Sequence, residues 1–198
     1  MWTIKQPPKI IFGKNSVSEF SFPKNCLIIT SKGAISRGWL EYAGLDNHLI
    51  FNGVEPNPSI QTTNKIISKF RNFDFTHIVG LGGGSSMDVA KFCGFKMNKK
   101  KIMIPTTFGS GSEVTRISVL KVDGKKKSFH NDKLFADIAI IDPFFIKNSN
   151  ETIIKNSVID ACAQCSEAYD SVISNQYTKF LCNAAFNLLE EGILEKNY

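Results

Sequence analysis

The 198-residue sequence predicts an α/β fold: a mostly parallel sheet with helices on both faces, followed by the start of an all-α domain. Three observations predict it. Over roughly the first 145 residues, short apolar runs alternate with stretches of helical spacing, the rhythm of βαβ units. One apolar run feeds directly into Gly82-Gly83-Gly84-Ser85, a turn that opens a helix. After about residue 150 the strand signal vanishes, and residues 151–196 read as helices only.

Taken in order, Ile10-Ile11-Phe12 reads as a short strand ending at Gly13. Residues 25–30 (NCLIIT) form a near-continuous apolar run, the mark of a strand buried on both faces. A helix is expected over 34–42, a strand over 48–51, a turn at Glu55-Pro56-Asn57-Pro58-Ser59, and a helix over 60–71 carrying Ile60, Ile66, Ile67 and Phe70. The strand 77–81 (HIVGL) then enters the glycine turn, and a helix follows over 86–96. A strand at 102–104 leads into Pro105-Thr106-Thr107. A hairpin with strands near 116–122 and 127–129 turns at Asp123-Gly124. A last buried strand, 138–141, ends at Asp142-Pro143. Together these describe a Rossmann-like sheet, with a domain boundary near 145–150.

Composition agrees with a packed protein: 42% of residues are apolar and 21% charged, which excludes a disordered chain. Much of the net charge of +6 lies in Lys99-Lys100-Lys101 and Lys125-Lys126-Lys127. These are expected to be solvated loop charge, and no basic helix or zinc finger accompanies them, so nucleic acid is not an expected partner. No apolar stretch is long enough to span a membrane. The five cysteines are odd in number and scattered behind no apolar leader, so free thiols in a reducing cytoplasm are expected.

The glycine turn carries the first chemistry. Glycines let a ligand approach the backbone, and the helix that follows offers free N–H groups and its positive dipole end to a diphosphate. Ser85 and Ser86 are expected to cap that helix or to donate to phosphate. A tight turn with a capped helix is the plainer reading of GGGS alone. The second candidate is the polar loop Pro105–Thr115 (PTTFGSGSEVT), placed at the ligand-binding edge of a parallel sheet. Asp160 and Gln164 share one helix face and could offer two metal ligands, although Gln suits iron or zinc poorly. Cys162 and Cys165 form a CxxC inside a helix and are expected to be buried and inert. His48, His77 and His130 are isolated and expected to be structural or exposed.

Four ordered stretches, GGGSSMDVAK (82–91), PTTFGSGSEVT (105–115), ADIAIIDP (136–143) and DACAQCSEAY (160–169), resemble the iron-containing alcohol dehydrogenase family within the dehydroquinate-synthase-like fold. GVEPNPS (53–59) extends the likeness to most of the chain. The resemblance implies an NAD(P)-dependent, metal-assisted alcohol dehydrogenase or aldehyde reductase, with a dinucleotide-binding domain over 1–148 and an incomplete helical metal and substrate domain over 149–198. It implies that Gly82, Gly83, Gly84, Ser85 and Asp88 line the diphosphate and nicotinamide side. It places Thr106, Thr107 and Ser110 beside the adenine and ribose, Lys126 near the nicotinamide ribose and Asn57 near the adenosine. Ser31 stands where NAD-preferring relatives often carry Asp, which leans the cofactor toward NADP. Asp160 matches the first ligand of a divalent metal, iron or zinc.

Departures accompany the likeness. The family usually has His where this chain has Gln164, Phe108 replaces a usual Ala, and members usually continue through further helices that supply two more His ligands. The resemblance therefore implies a truncated form. Gln164 and the Asp123-Gly124-Lys125 turn resemble relatives that reduce phosphonoacetaldehyde, an anionic substrate. The alternative is a catalytically inactive nucleotide-binding fragment, or one half of a split enzyme. A homo-oligomer or a complementing C-terminal fragment is the expected partner, because Leu181, Phe186 and Leu189 would otherwise be exposed.

Overall fold

The computed structural model describes residues 2–195. Its described residues form two compact units: the residues up to Thr106 with Gly111–Phe144, and Thr107–Ser110 with the residues from Phe145 onward.

The first unit is built on a six-stranded sheet of order β1-β8-β5-β4-β2-β3. Its strands are β1 (Lys9–Phe12), β2 (Cys26–Ile29), β3 (Leu49–Phe51), β4 (His77–Gly82), β5 (Lys100–Pro105) and β8 (Ile138–Ile141), and every pairing is parallel. Side chains alternate across it. Leu27, Ile29, Ile78 and Met103 belong to one apolar cluster with Ile66, Met87, Ala90 and Cys93 from the helices α3 (Ile60–Phe70) and α4 (Gly84–Met97). Ile28, Val79, Leu81, Ile102 and Ile104 face the other way and are equally buried, as are Val17, Ala34, Leu40 and Leu45. Burial on both faces is why β2, β4 and β5 read as continuous apolar runs.

Helix α4 is the central helix. Apolar and small residues lie all around it, because it packs on the sheet and beneath the antiparallel hairpin of β6 (Ile117–Val122) and β7 (Lys125–His130). Gly80 makes the sheet contact close: a Cβ there would stand 2.8 Å from Ala90 Cβ and from Met103 Sδ. The hairpin turns through Asp123 (φ 49°) and Gly124 (φ 78°), as an Asp-Gly pair does.

Several expectations are corrected. The helix expected over 34–42 is two short pieces, α1 (Lys32–Ser36) and α2 (Trp39–Tyr42), because Gly38 adopts φ 68° and interrupts the ladder. Helix α4 starts at Gly84 with Gly83 as its N-cap and no side-chain cap, so Ser85 and Ser86 lie inside the first turn and do not cap it. The lysine clusters are only partly loop charge: Lys99 lies in the loop before β5 and its Nζ donates to Phe75 O at 2.6 Å, whereas Lys100 and Lys101 open β5 and Lys101 is buried 3.4 Å from Asp137. Lys125–Lys127 are exposed on β7.

The second unit consists of α5 (Phe144–Lys147, from its second residue), α6 (Glu151–Asp170), α7 (Gln176–Glu195) and the segment Thr107–Ser110. Asn150 and Asn175 start the two long helices, accepting from Ile153 N at 2.9 Å and Thr178 N at 3.0 Å. Leu181 is exposed as expected, whereas Phe186 and Leu189 are half-buried; Phe180, Leu188 and Ile173 carry more of the exposed apolar surface. Among the described residues no helix is long and apolar enough to cross a membrane.

Candidate functional site

The strand order reverses at β2. Chain order runs outward from β2 to β3, then returns to β4 on the other side and continues to β5. The carboxyl ends of β2 and β4 at that reversal are where open α/β sheets bind ligands. The glycine turn stands there. Gly82 adopts φ 148°, and a Cβ on it would meet Ser86 Oγ at 2.7 Å, so both the backbone and the packing of α4 demand glycine. Thr30 Oγ1 donates to Leu81 O at 2.7 Å and Thr106 N to Gly82 O at 3.0 Å, which fixes the turn between the ends of β2 and β5. Ser86 N and Met87 N donate to Gly83 O at 3.0 and 3.2 Å, whereas no side chain caps α4 and the N–H groups of Gly84 and Ser85 precede its hydrogen-bond ladder. An anion placed there meets bare amides at the positive end of a 14-residue helix.

The wall of this region is braced from beneath. Asp88 Oδ1 accepts from Ser112 Oγ at 2.6 Å, and Oδ2 from Val119 N at 3.0 Å. Lys91, fully buried one turn later, lies 3.3 Å from Asp88 and donates to Ser112 O at 2.7 Å, to Thr115 Oγ1 at 3.3 Å and to Ile117 O. Burial pushes the Lys91 ammonium below its ordinary value, opposed by Asp88 and Glu113. Burial likewise raises the Glu113 carboxyl, opposed by Lys91. This polar knot ties the segment 112–119 to α4. Lys91 closes the GGGSSMDVAK stretch, and a lysine on an otherwise apolar helix is the sequence signal for such a knot.

Within the first unit, then, the structure brings Ser31, Gly82, Gly83, Gly84, Ser85 and Thr106 to neighbouring strand ends, with Asp88 behind them. Asn57 (φ 51°) and Lys126 are exposed: Lys121 N donates to Pro58 O at 2.7 Å, and Lys126 pairs with Lys121 across the hairpin. No hydrogen bond among the described residues ties either of them to the glycine turn.

Thr107, Ser110, Asp160 and Gln164 belong to the second unit. Gly109 (φ 116°) lies directly against Asp160: a Cβ there would stand 2.6 Å from Asp160 Oδ2. The Asp160 carboxylate is half-buried, and Gln164 is exposed one turn later. Among the described residues no three His, Cys, Asp or Glu side chains gather as a metal would require. The histidines lie in the first unit: His48 Nδ1 accepts from Cys26 N at 3.4 Å, His77 meets Thr76 Oγ1 at 2.8 Å, and His130 ends β7. A metal therefore does not fit the residues present, because two ligands fall short of the three or four that iron or zinc needs. Cys162 and Cys165 are half-buried rather than buried, while Cys26 and Cys93 are enclosed, and burial pushes the Cys26 thiol up to about 11.

Comparison with known proteins adds the following. Residues 7–143 match the family model described as iron-containing alcohol dehydrogenase. The chain is 31% identical to aldehyde-alcohol dehydrogenase 2 of Entamoeba histolytica, over 96% of this chain and 27% of that protein. It is 30% identical to long-chain-alcohol dehydrogenase 1 of Geobacillus thermodenitrificans, over 86% of this chain and 50% of that one. The solved structure of an iron-containing alcohol dehydrogenase from Thermotoga maritima superposes with a TM-score of 0.89 at 26% identity, covering 99% of this chain and 63% of that one. The chain thus spans about a quarter to a half of the length of these two curated relatives.

Proposed function

Since the chain belongs to the iron-containing alcohol dehydrogenase family, we propose that it supplies the dinucleotide-binding part of an NAD(P)-dependent alcohol dehydrogenase or aldehyde reductase. The carrying observation is the uncapped start of α4 at the point where strand order reverses. There the N–H groups of Gly84 and Ser85 and the Ser85 hydroxyl hold a diphosphate, and Gly82 and Gly83 allow its approach. Ser31 and Thr106 flank it at the ends of β2 and β5. Asp88 and Lys91 do not need to touch the ligand; they hold the neighbouring segment still, so the site keeps its shape. The bound dinucleotide supplies a hydride carrier for the interconversion of an alcohol and its aldehyde. Asp160 and Gln164 are the residues that would face a metal, and no step is assigned to them. Thr107 and Ser110 remain candidates for cofactor contact, as do Asn57 and Lys126. The narrower reading, reduction of phosphonoacetaldehyde, draws on Gln164 and the Asp123-Gly124-Lys125 turn together with the net charge of +6. The domain limits we propose are 1–148 for cofactor binding and 149–198 for the helical part.

A second reading is a nucleotide-binding module without catalysis, favoured by the lack of a three-ligand cluster among the described residues. Fluorescence titration with NADH and NADPH tests the common ground. Gly83→Val puts a branched side chain before the α4 amides at a φ of −73° that valine tolerates, and should weaken binding by roughly a hundredfold or more while the chain stays folded. Unchanged affinity would place the ligand elsewhere. Aldehyde reduction assayed with added Fe²⁺ or Zn²⁺ separates the readings: binding without turnover favours the module, and turnover removes it.

A further inference from the structure

We propose that Cys165 and Cys182 are a peroxide-sensitive thiol pair, joined on oxidation by a disulfide between α6 and α7. Within the helical unit, α6 ends at Asp170 and α7 begins at Gln176, so a short link turns the chain back on itself. Two contacts fix the register of the helix pair. Lys179 Nζ lies 4.9 Å from the centre of the Tyr169 ring, and Cys162 lines one apolar pocket with Phe186 and Leu189. Position thus falls along α6 as it rises along α7. Cys165 and Cys182 stand between those two contacts, at matching heights.

The covered faces of the two helices agree with this register. Thr178, Cys182, Ala185 and Leu189 recur along α7 at helical spacing, and Val158, Cys162, Cys165 and Tyr169 do so along α6. Cys182 is only 6% exposed, whereas Phe180, Leu181 and Leu188 on the same helix stand open, so its thiol is covered by α6. Helices packed about 8–10 Å apart bring directly facing Cα atoms to about 3.5–5.5 Å, and further when offset, which meets the roughly 4.4–6.8 Å that a disulfide spans. Burial holds the Cys165 thiol above its ordinary value, and Cys182 adds to this more than Cys162 does. Cys165 is the more open of the pair and reacts first. Its sulfur attacks one oxygen of hydrogen peroxide, the O–O bond breaks, water leaves, and Cys165 becomes a sulfenic acid. The Cys182 sulfur then attacks the Cys165 sulfur, the S–O bond breaks, and the hydroxyl departs with the Cys182 proton as a second water. The two thiols thereby pass two electrons to one peroxide molecule.

The test treats the full chain with hydrogen peroxide, blocks the remaining thiols by alkylation and maps linked peptides by mass spectrometry. The expected product is a single link, reversed by dithiothreitol, between the peptides that hold Cys165 and Cys182. Cys182→Ser should abolish the link and leave a sulfenic acid on Cys165 that dimedone captures. Cys162→Ser should keep the rate of bond formation within about twofold of the native chain. A link between Cys162 and Cys165, a link between two molecules, or five free thiols after peroxide would overturn the proposal. So would a Cys165 sulfenic acid that persists in the native chain without passing to Cys182. If Cys182→Ser does not fold, the native chain decides alone: oxidised while folded it should give this one pairing, and oxidised in urea a mixture of pairings.

Discussion

The Lys91 side-chain nitrogen lies where no water reaches it, surrounded by carbonyls from the 112–117 segment and one carboxylate. Removing the ammonium leaves those carbonyls unpaired and Asp88 short of its counter-charge. Lys91→Met should therefore lower stability by about 3 kcal/mol, read as a shift of the urea midpoint. A loss below about 1 kcal/mol would mean that water replaces the ammonium and that the segment is not pinned as described. At this scale the sequence was partly legible. Gly82 to Ser85 announced themselves by composition, and the structure puts them at the strand tip. Gly80 did not, because a glycine needed for helix–strand closeness looks like any other strand glycine until Ala90 and Met103 are seen against it.

Among the elements, α3 shows how a helix start can depend on pH. Glu55 precedes it and accepts from Ser59 N at 2.9 Å, Ser59 Oγ at 3.0 Å and Thr62 Oγ1 at 2.7 Å. Burial alone would raise the Glu55 carboxyl, but the bonds from Thr62 and Ser59 outweigh it and hold it below the ordinary value of 4.5. The folded chain thus binds this proton more weakly than the unfolded chain. The stabilisation is complete above pH 4.5 and is lost as the pH falls through the lower folded value. Glu55→Gln should cost about 1 kcal/mol at neutral pH and flatten the acid limb of a stability profile below about pH 4.5. An acid limb identical to that of the native chain would sink this assignment. Strands and long helices were legible because apolar periodicity marks them. The break between α1 and α2 was not, since a single glycine in a helical run does not by itself reveal the positive φ that Gly38 adopts. The early start of α4 was missed because serine suggests a cap, whereas here the cap is a glycine.

For the whole molecule, the unit containing α6 and α7 leaves Ile159, Ile173, Phe180, Leu188 and Ile193 in water. Patches of this kind associate. Sedimentation velocity should find species larger than a monomer at micromolar concentration, and Phe180→Lys combined with Leu188→Lys should shift them toward the monomer. A native chain that stays monomeric at about 100 μM would refute this. Sequence reading anticipated such exposure but placed it partly on Phe186 and Leu189, which the helix pair half covers. The sheet order was beyond its reach, because pairing between β1 and β8 joins residues some 130 positions apart.

One further feature bears on how such a protein is taken apart. Thr107–Ser110 is grouped with the helices although the chain on both sides of it belongs to the sheet unit. No single cleavage of the backbone can separate the two modules intact. A fragment cut at the junction near residue 145 would carry a glycine-rich segment without the Asp160 against which Gly109 is seated. Recombination or chimera building with a homologue should accordingly exchange 107–110 together with α6, as a discontinuous cassette.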